Sequence, residues 1–236
     1  MTTLTIPAKD GRSFSAYIAM PKVTPAPAII MIQEIFGVNA EMRKKCDDMA
    51  ALGYIAAAPD LFWRMEPGVD LTDKTEAEWK KAFDFLGRFD VDSGIDDLRT
   101  TLHTLRGHAD TTGVVGCIGY CLGGKLAYLM ACRSAIDCAI SYYGVGIEDL
   151  LDNAIGIKNP LLMHIAEEDK FVSKAAQGKI VAALSLNPHV MLHSYPGVNH
   201  AFSRTGGEHY DEAATKLAHQ RTIDFLSTSL KKARAA

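Results

Sequence analysis

The 236-residue chain is 48% hydrophobic and 22% charged, with a formal net charge of −3, a composition that can build a sizeable globular core. Acidic and basic residues are mixed along it, which excludes the basic stripe of a nucleic-acid binder and leaves no charged tail. No apolar run approaches the ~20 residues that span a bilayer, and residues 1–9 lack the cationic start and apolar run of a secretory signal. The five cysteines (Cys46, Cys117, Cys121, Cys132, Cys138) are an odd number with no C-x-x-C pair, which fits a reducing compartment. The expectation is a cytoplasmic protein with neither nucleic acid nor membrane as partner.

In chain order, residues 4–6 and 14–20 read as strands around Asp10-Gly11, a favoured hairpin turn. Short continuous apolar runs follow at 28–32, 55–58, 114–118, 138–142, 161–165 and 190–195, as in strands buried on both faces of a largely parallel sheet. Asn39 can cap a helix with Met42, Cys46 and Met49 on one face, closed by Gly53. The segment 61–90 is long for a strand-to-helix connection. With Trp63, Pro67, Gly68 and Trp79, it reads either as a pocket-shaping excursion or as a surface insertion with a buried aromatic.

Helices are expected over 74–86, 92–105, 123–133, 174–186 and 212–230, the last with Ile223, Leu226 and Leu230 in one stripe. Alternating strands and helices predict an α/β class fold. It would be a mostly parallel, doubly wound sheet of about eight strands flanked by helices. No linker, repeat or low-complexity tract divides the chain, so residues 1–236 read as a single domain. In such sheets ligands sit beyond the carboxyl ends of the strands.

One strand end carries a chemical signature. The run Val114-Val115-Gly116-Cys117-Ile118 enters Gly119-Tyr120-Cys121-Leu122-Gly123-Gly124 and then a helix, the strand–turn–helix context of a nucleophile elbow. The central residue must adopt a strained backbone, and the flanking glycines are required because strand and helix leave no room for a Cβ. Cys121 takes the place of the usual serine, and the helix start favours a thiolate. Cys117, Cys132 and Cys138 lie on a strand or within a helix without such framing and read as core residues.

An acid and then a histidine should follow, each after a later strand. The run 161–165 ends in Ala166-Glu167-Glu168-Asp169, three candidate carboxylates between which the residues alone do not choose. The run 190–195 ends in Pro196-Gly197-Val198-Asn199-His200; of the eight histidines only His200 follows the last strand at a glycine turn. Cysteine, histidine and acid together supply a nucleophile, its base and an orienter of the imidazole. The oxyanion hole should combine the Leu122 N–H with one from the loop Gln33-Glu34-Ile35-Phe36-Gly37, where the Ile35 N–H is the candidate. Glu34 is an acid within an apolar run and needs a partner or a place at the cleft edge.

Four segments carry a resemblance: Gln33-Glu34-Ile35-Phe36-Gly37-Val38-Asn39, Gly119 to Gly124, Tyr142-Tyr143-Gly144-Val145-Gly146, and His200-Ala201-Phe202-Ser203-Arg204. The chain resembles the dienelactone hydrolases (carboxymethylenebutenolidases), members of the α/β-hydrolase superfamily, from near its N-terminus to its last helix. The resemblance implies hydrolysis of the enol-lactone dienelactone to maleylacetate, as in bacterial breakdown of chlorinated aromatics. It implies Cys121 as nucleophile, His200 as base and acid, and Asp169 as the orienting carboxylate. Glu34 would hold the resting thiol and accept its proton when substrate arrives. Phe36, Tyr142 and Phe171 would be aromatic pocket residues, and Arg204 would bind the substrate carboxylate.

The pattern also breaks. The family's second carboxylate-binding arginine aligns with Trp79, and Arg64, Lys80, Lys81 and Arg88 are the cations available to compensate. The family's pocket serine is Ala201 here. These departures leave an esterase or thioesterase for a different acid as the alternative. A non-catalytic lactone-binding module and a redox sensor are further readings, disfavoured because Cys121, Asp169, His200 and Glu34 are all retained and Cys117 is poorly placed to resolve a disulfide. No cofactor and no metal are expected, since neither a P-loop ending nor metal-ligand spacing exists. The expected partner is a small lactone or ester, and the expected state a monomer or small homo-oligomer.

Overall fold

The computed structural model describes residues 2–232. Its strands are β1 (Thr3–Pro7), β2 (Ser13–Ala19), β3 (Ala26–Ile32), β4 (Ile55–Pro59), β5 (Thr111–Tyr120), β6 (Cys138–Tyr142), β7 (Leu161–Ala166) and β8 (Val190–Tyr195). The helices are α1 (Ala40–Ala51), α2 (Glu76–Arg88), α3 (Val91–Arg106), α4 (Leu122–Arg133), α5 (Lys174–Leu184) and α6 (Glu212–Lys232). The strands form one eight-stranded sheet in the order β1-β2-β4-β3-β5-β6-β7-β8. The architecture is the expected α/β one, mixed but largely parallel. β1 pairs antiparallel with β2 and β2 with β4, whereas β3–β4, β6–β7 and β7–β8 are parallel. Contacts divide the chain into two compact units, residues 1–117 and 118–236.

In the first unit, Gly11 turns the β1–β2 hairpin at φ +84°, where a side chain would be strained. Helix α1 forms as its sequence requires. The Asn39 side chain accepts the Met42 N–H at 3.0 Å, Met42, Cys46 and Met49 are its buried stripe, and Gly53 leaves it at φ +95°. Helix α2 starts two residues later than the sequence predicts because Thr75, not Lys74, opens it. The Thr75 Oγ1 accepts the Glu78 N–H at 3.2 Å and donates to the Glu78 carboxylate at 2.8 Å.

The excursion between β4 and α3 divides the two readings of 61–90. Trp63 is a buried aromatic: it stacks on Phe14 at 5.4 Å and donates its Nε1–H to Asp97 at 2.8 Å. The stretch after it is pinned to the loop following β3. Gly37 bridges Asp70, the Leu71 N–H donates to the Phe36 carbonyl at 2.9 Å, and Asn39 donates to the Leu71 carbonyl at 3.0 Å. A Cβ on Gly37, at φ +79°, would meet the Val69 carbonyl oxygen at 2.0 Å, so only glycine permits this approach.

In the second unit, β6 and β7 are buried at every residue, as their continuous apolar runs require. Two 3-10 segments, Ile147–Asp149 and Leu151–Gly156, follow β6; runs this short have no apolar period to announce them. Helix α5 ends at Leu184, two residues before the predicted end. There the chain turns, with the Asn187 N–H donating to the Leu184 carbonyl at 3.0 Å ahead of Pro188.

Candidate active site

The site is built at strand ends of the second unit. Strand β5 ends at Tyr120, and Cys121 stands at the N-cap of α4 with φ 55° and ψ −113°, a conformation non-glycine residues avoid. The surroundings hold it there: the Cys121 N–H donates to the Tyr142 carbonyl at 3.1 Å, and the Cys121 carbonyl accepts the Lys125 N–H at 3.1 Å. The framing glycines are sterically required. A Cβ on Gly119 would meet the Gly123 carbonyl oxygen at 1.8 Å, and one on Gly124 the Tyr142 carbonyl oxygen at 2.5 Å. Cys121 is buried at 7% exposure, and Leu122 is the first residue of the helix.

The three carboxylates after β7 separate cleanly. Glu167 and Glu168 face Lys174 of α5, at 4.0 and 3.0 Å, on the exposed side of the turn. Asp169 turns inward: its Oδ1 accepts the N–H groups of Phe171 and Val172 at 2.8 and 3.2 Å, and its Oδ2 meets His200 Nδ1 at 2.8 Å. His200 follows β8 and the Gly197 turn at φ +74°, and its own N–H donates to Asn199 Oδ1 at 2.7 Å. With Nδ1 bound to a carboxylate, Nε2 is the nitrogen left for chemistry.

Cys121 hydrogen-bonds His200, and the electrostatics follow. Burial pulls the imidazole down, but the Cys121 charge and the Asp169 hydrogen bond outweigh it and push His200 up to about 10. The Cys121 sulfur therefore stands beside an imidazole held in its charged form at neutral pH. Burial pushes the Cys46 thiol up as expected of a core thiol, and pushes Cys132, which is half-buried and not in the core as the sequence suggests, up to about 11.

Aromatic rings wall the histidine. Phe171, half exposed, packs edge-on at 4.8 Å, and Tyr143 does so at 5.1 Å. Tyr142 faces elsewhere: it is buried, and its hydroxyl is bonded to Thr222 of α6 at 2.6 Å. The aromatic neighbour of His200 that sequence reasoning missed is thus Tyr143, whose hydroxyl pairs with Ser203 at 2.9 Å. The motif contained it, but only its positive φ of 37° turns it to the histidine. Arg204 is buried at 8% exposure beyond a turn in which its N–H donates to the Ala201 carbonyl at 2.9 Å, with Ala201 at φ 62°.

In the first unit, Glu34 and Ile35 are buried at 8% and 4% exposure in the loop after β3. The loop is held by Gln33, whose Oε1 accepts the Leu61 N–H at 3.1 Å. Phe36 meets Trp79 edge-on at 5.0 Å. Trp79 also stacks on Phe83 at 5.5 Å and donates to the Asp73 carbonyl at 3.0 Å. Three of the four cations near Trp79 in the sequence are engaged: Arg64 with Asp97 at 3.0 Å, Lys81 with Glu66 at 2.8 Å, and Arg88 with Asp84 at 2.7 Å.

A cavity of about 740 Å³ lies between β8 and α6, lined in part by Pro160, Met191 and Phe225, and holds none of these residues. Its lining includes Pro160 and His189, which immediately precede β7 and β8, whereas Asp169 and His200 follow those strands. Among the described residues no group of three His, Cys, Asp or Glu side chains could hold a metal ion, and no helix is long and apolar enough to cross a membrane.

With the geometry in place, comparison with known proteins agrees on one family. The profile of the dienelactone hydrolase family matches residues 14–230. A protein of Azospirillum brasilense is 48% identical over 98% of this chain and 100% of its own length. The carboxymethylenebutenolidase of Pseudomonas putida is 38% identical over 95% of each chain. Among solved structures, one from Klebsiella pneumoniae superposes with a TM-score of 0.84 at 26% identity, covering 96% of this chain and 97% of that one.

Proposed function

The chain belongs to the dienelactone hydrolase family, within the α/β-hydrolases, and is a hydrolase of the carboxymethylenebutenolidase type; we propose that it opens dienelactone itself, through Cys121, His200 and Asp169. The observation that carries the residue assignment is the pair Asp169 Oδ2–His200 Nδ1 at 2.8 Å, with Cys121 on a strained elbow acting on the same imidazole.

In this reading the Cys121 thiolate attacks the lactone carbonyl, and the ring oxygen leaves as an enolate. Sulfur suits such a leaving group, which needs little help to depart. The oxyanion falls to the Leu122 N–H at the start of α4. His200, left neutral once its proton has gone to the departing enolate, takes a proton from the water that clears the thioester, and Asp169 keeps its Nδ1 occupied throughout. Phe171 and Tyr143 are the aromatic wall we assign in this unit, in place of Tyr142, and Arg204 is the carboxylate-binding cation. The roles of Glu34 as thiol-proton acceptor, of the Ile35 N–H as second oxyanion donor, and of Phe36 and Trp79 as pocket residues rest on the family motifs.

A second reading has a specific observation behind it. Trp79 stands where the family has an arginine, and Arg64, Lys81 and Arg88 are each paired with a carboxylate. That favours a family esterase or thioesterase for an acid with less negative charge than dienelactone. Following dienelactone absorbance beside simple aryl esters separates the two. Fast, Cys121-dependent loss of dienelactone supports the first reading; slow loss with faster aryl-ester cleavage replaces it by the second.

A further inference from the structure

Beneath Asp169, on strand β6, lies a group that the reaction outlined above does not use. Ser141 is 1% exposed, and its Oγ has no hydrogen-bond partner among the described residues. A hydroxyl buried without a partner is costly, and native proteins answer such groups with another polar atom or an ordered water. Ser141 lines a cavity of about 10 Å³ whose wall also includes Asp169. That volume is roughly what a single water needs, and the apolar sides of Met163, Val172 and Ile180 leave no place for a larger or charged guest.

Asp169 has room for one more donor. Its Oδ1 takes two backbone N–H groups and its Oδ2 takes His200, whereas an ionised carboxylate offers about four acceptor positions. We propose that the cavity is a binding site for one structural water, which accepts the Ser141 hydroxyl proton in a hydrogen bond and donates to the Asp169 carboxylate. Ser141 is then a positioning residue acting through that water. It fixes the carboxylate from below while the Phe171 and Val172 amides fix it from the loop. The site itself is independent of the chemistry; its effect on turnover rests on the triad reading.

A crystal structure at a resolution that shows ordered water, for the wild type and for Ser141→Ala, tests the site. A peak about 3 Å from both Ser141 Oγ and an Asp169 oxygen is expected in the wild type and lost in the variant. A wild-type map without that peak, or a Ser141→Ala map that keeps it, overturns the assignment. Kinetics test the role. Ser141→Ala should lower kcat/KM about fivefold at unchanged Tm. The loss should fall on kcat with KM unchanged, because the carboxylate orients the imidazole and not the substrate. In an Asp169→Asn background the same substitution should change nothing further. A variant that loses the water but keeps the wild-type kcat, or whose loss falls on KM alone, overturns the positioning role. Turnover that survives Cys121→Ala would instead overturn the triad reading and leave the water site standing.

Discussion

Two buried charge clusters, one in each compact unit, use similar parts to opposite ends. In the first unit Asp97 is 3% exposed and holds Trp63 Nε1 at 2.8 Å and both terminal nitrogens of Arg64 at 3.1 and 3.0 Å. The guanidinium also lies over the Trp63 ring at 4.1 Å. In the second unit Asp169 is 7% exposed and holds two backbone amides and His200. Each is a buried carboxylate with a cationic partner and an aromatic neighbour. Burial raises Asp97 above the usual carboxylate range.

What separates them is the partner. Arg64 does not give up a proton, and both its terminal nitrogens end on one carboxylate, so the Asp97 cluster is closed and can only hold structure. His200 can gain or lose a proton, and its second nitrogen faces a thiol on a strained turn. Perturbation marks a buried charge; a titratable partner with an unspent nitrogen marks chemistry.

The comparison can be broken at several points. The largest effect belongs to Cys121→Ala, which should lower kcat about 10⁴-fold or more with the fold intact. Retained turnover would move the chemistry elsewhere. The same variant should lower the His200 pKa, because the Cys121 sulfur beside it helps hold the imidazole protonated toward pH 10; imidazole NMR reads the shift directly. Next is Arg64→Met, which should cost about 3–5 kcal/mol in denaturant unfolding by leaving Asp97 buried without its cation. kcat/KM should stay at the wild-type value. An acid whose native pKa is raised binds more protons folded than unfolded, so this loss should grow as pH rises. A stable Arg64→Met enzyme with impaired turnover would make the closed cluster part of the site after all. The smallest effect is expected of Glu34→Gln: about a tenfold drop in the acylation rate, seen in single-turnover kinetics. An unchanged rate would return Glu34 to a purely structural role.

Much of this was legible from residues. The strands announced themselves as unbroken apolar runs, and α1 as a cap, a stripe and a glycine, because each is a local pattern with a local cause. The 3-10 segments after β6 did not, since three to six residues give no period to read. The starting turn of α2 slipped because the Thr75–Glu78 box lies one residue inside the predicted start.

The site shows the same division. The glycine frame singled out Cys121 because Gly119 and Gly124 meet backbone that a Cβ could not pass, a constraint written into the sequence itself. The position of His200 after the last strand was equally readable. Among Glu167, Glu168 and Asp169 the residues left three equivalent acids. Only the folded turn sends two of them to Lys174 and one inward to His200. Likewise two adjacent tyrosines look alike until backbone dihedrals turn Tyr143 to the histidine and leave Tyr142 bonded to Thr222. Sequence by itself determined which chemistry is present, because the groups that do it and the glycines that admit them are residue types. Tertiary structure alone decided which carboxylate and which ring meet His200, because those choices depend on direction in space.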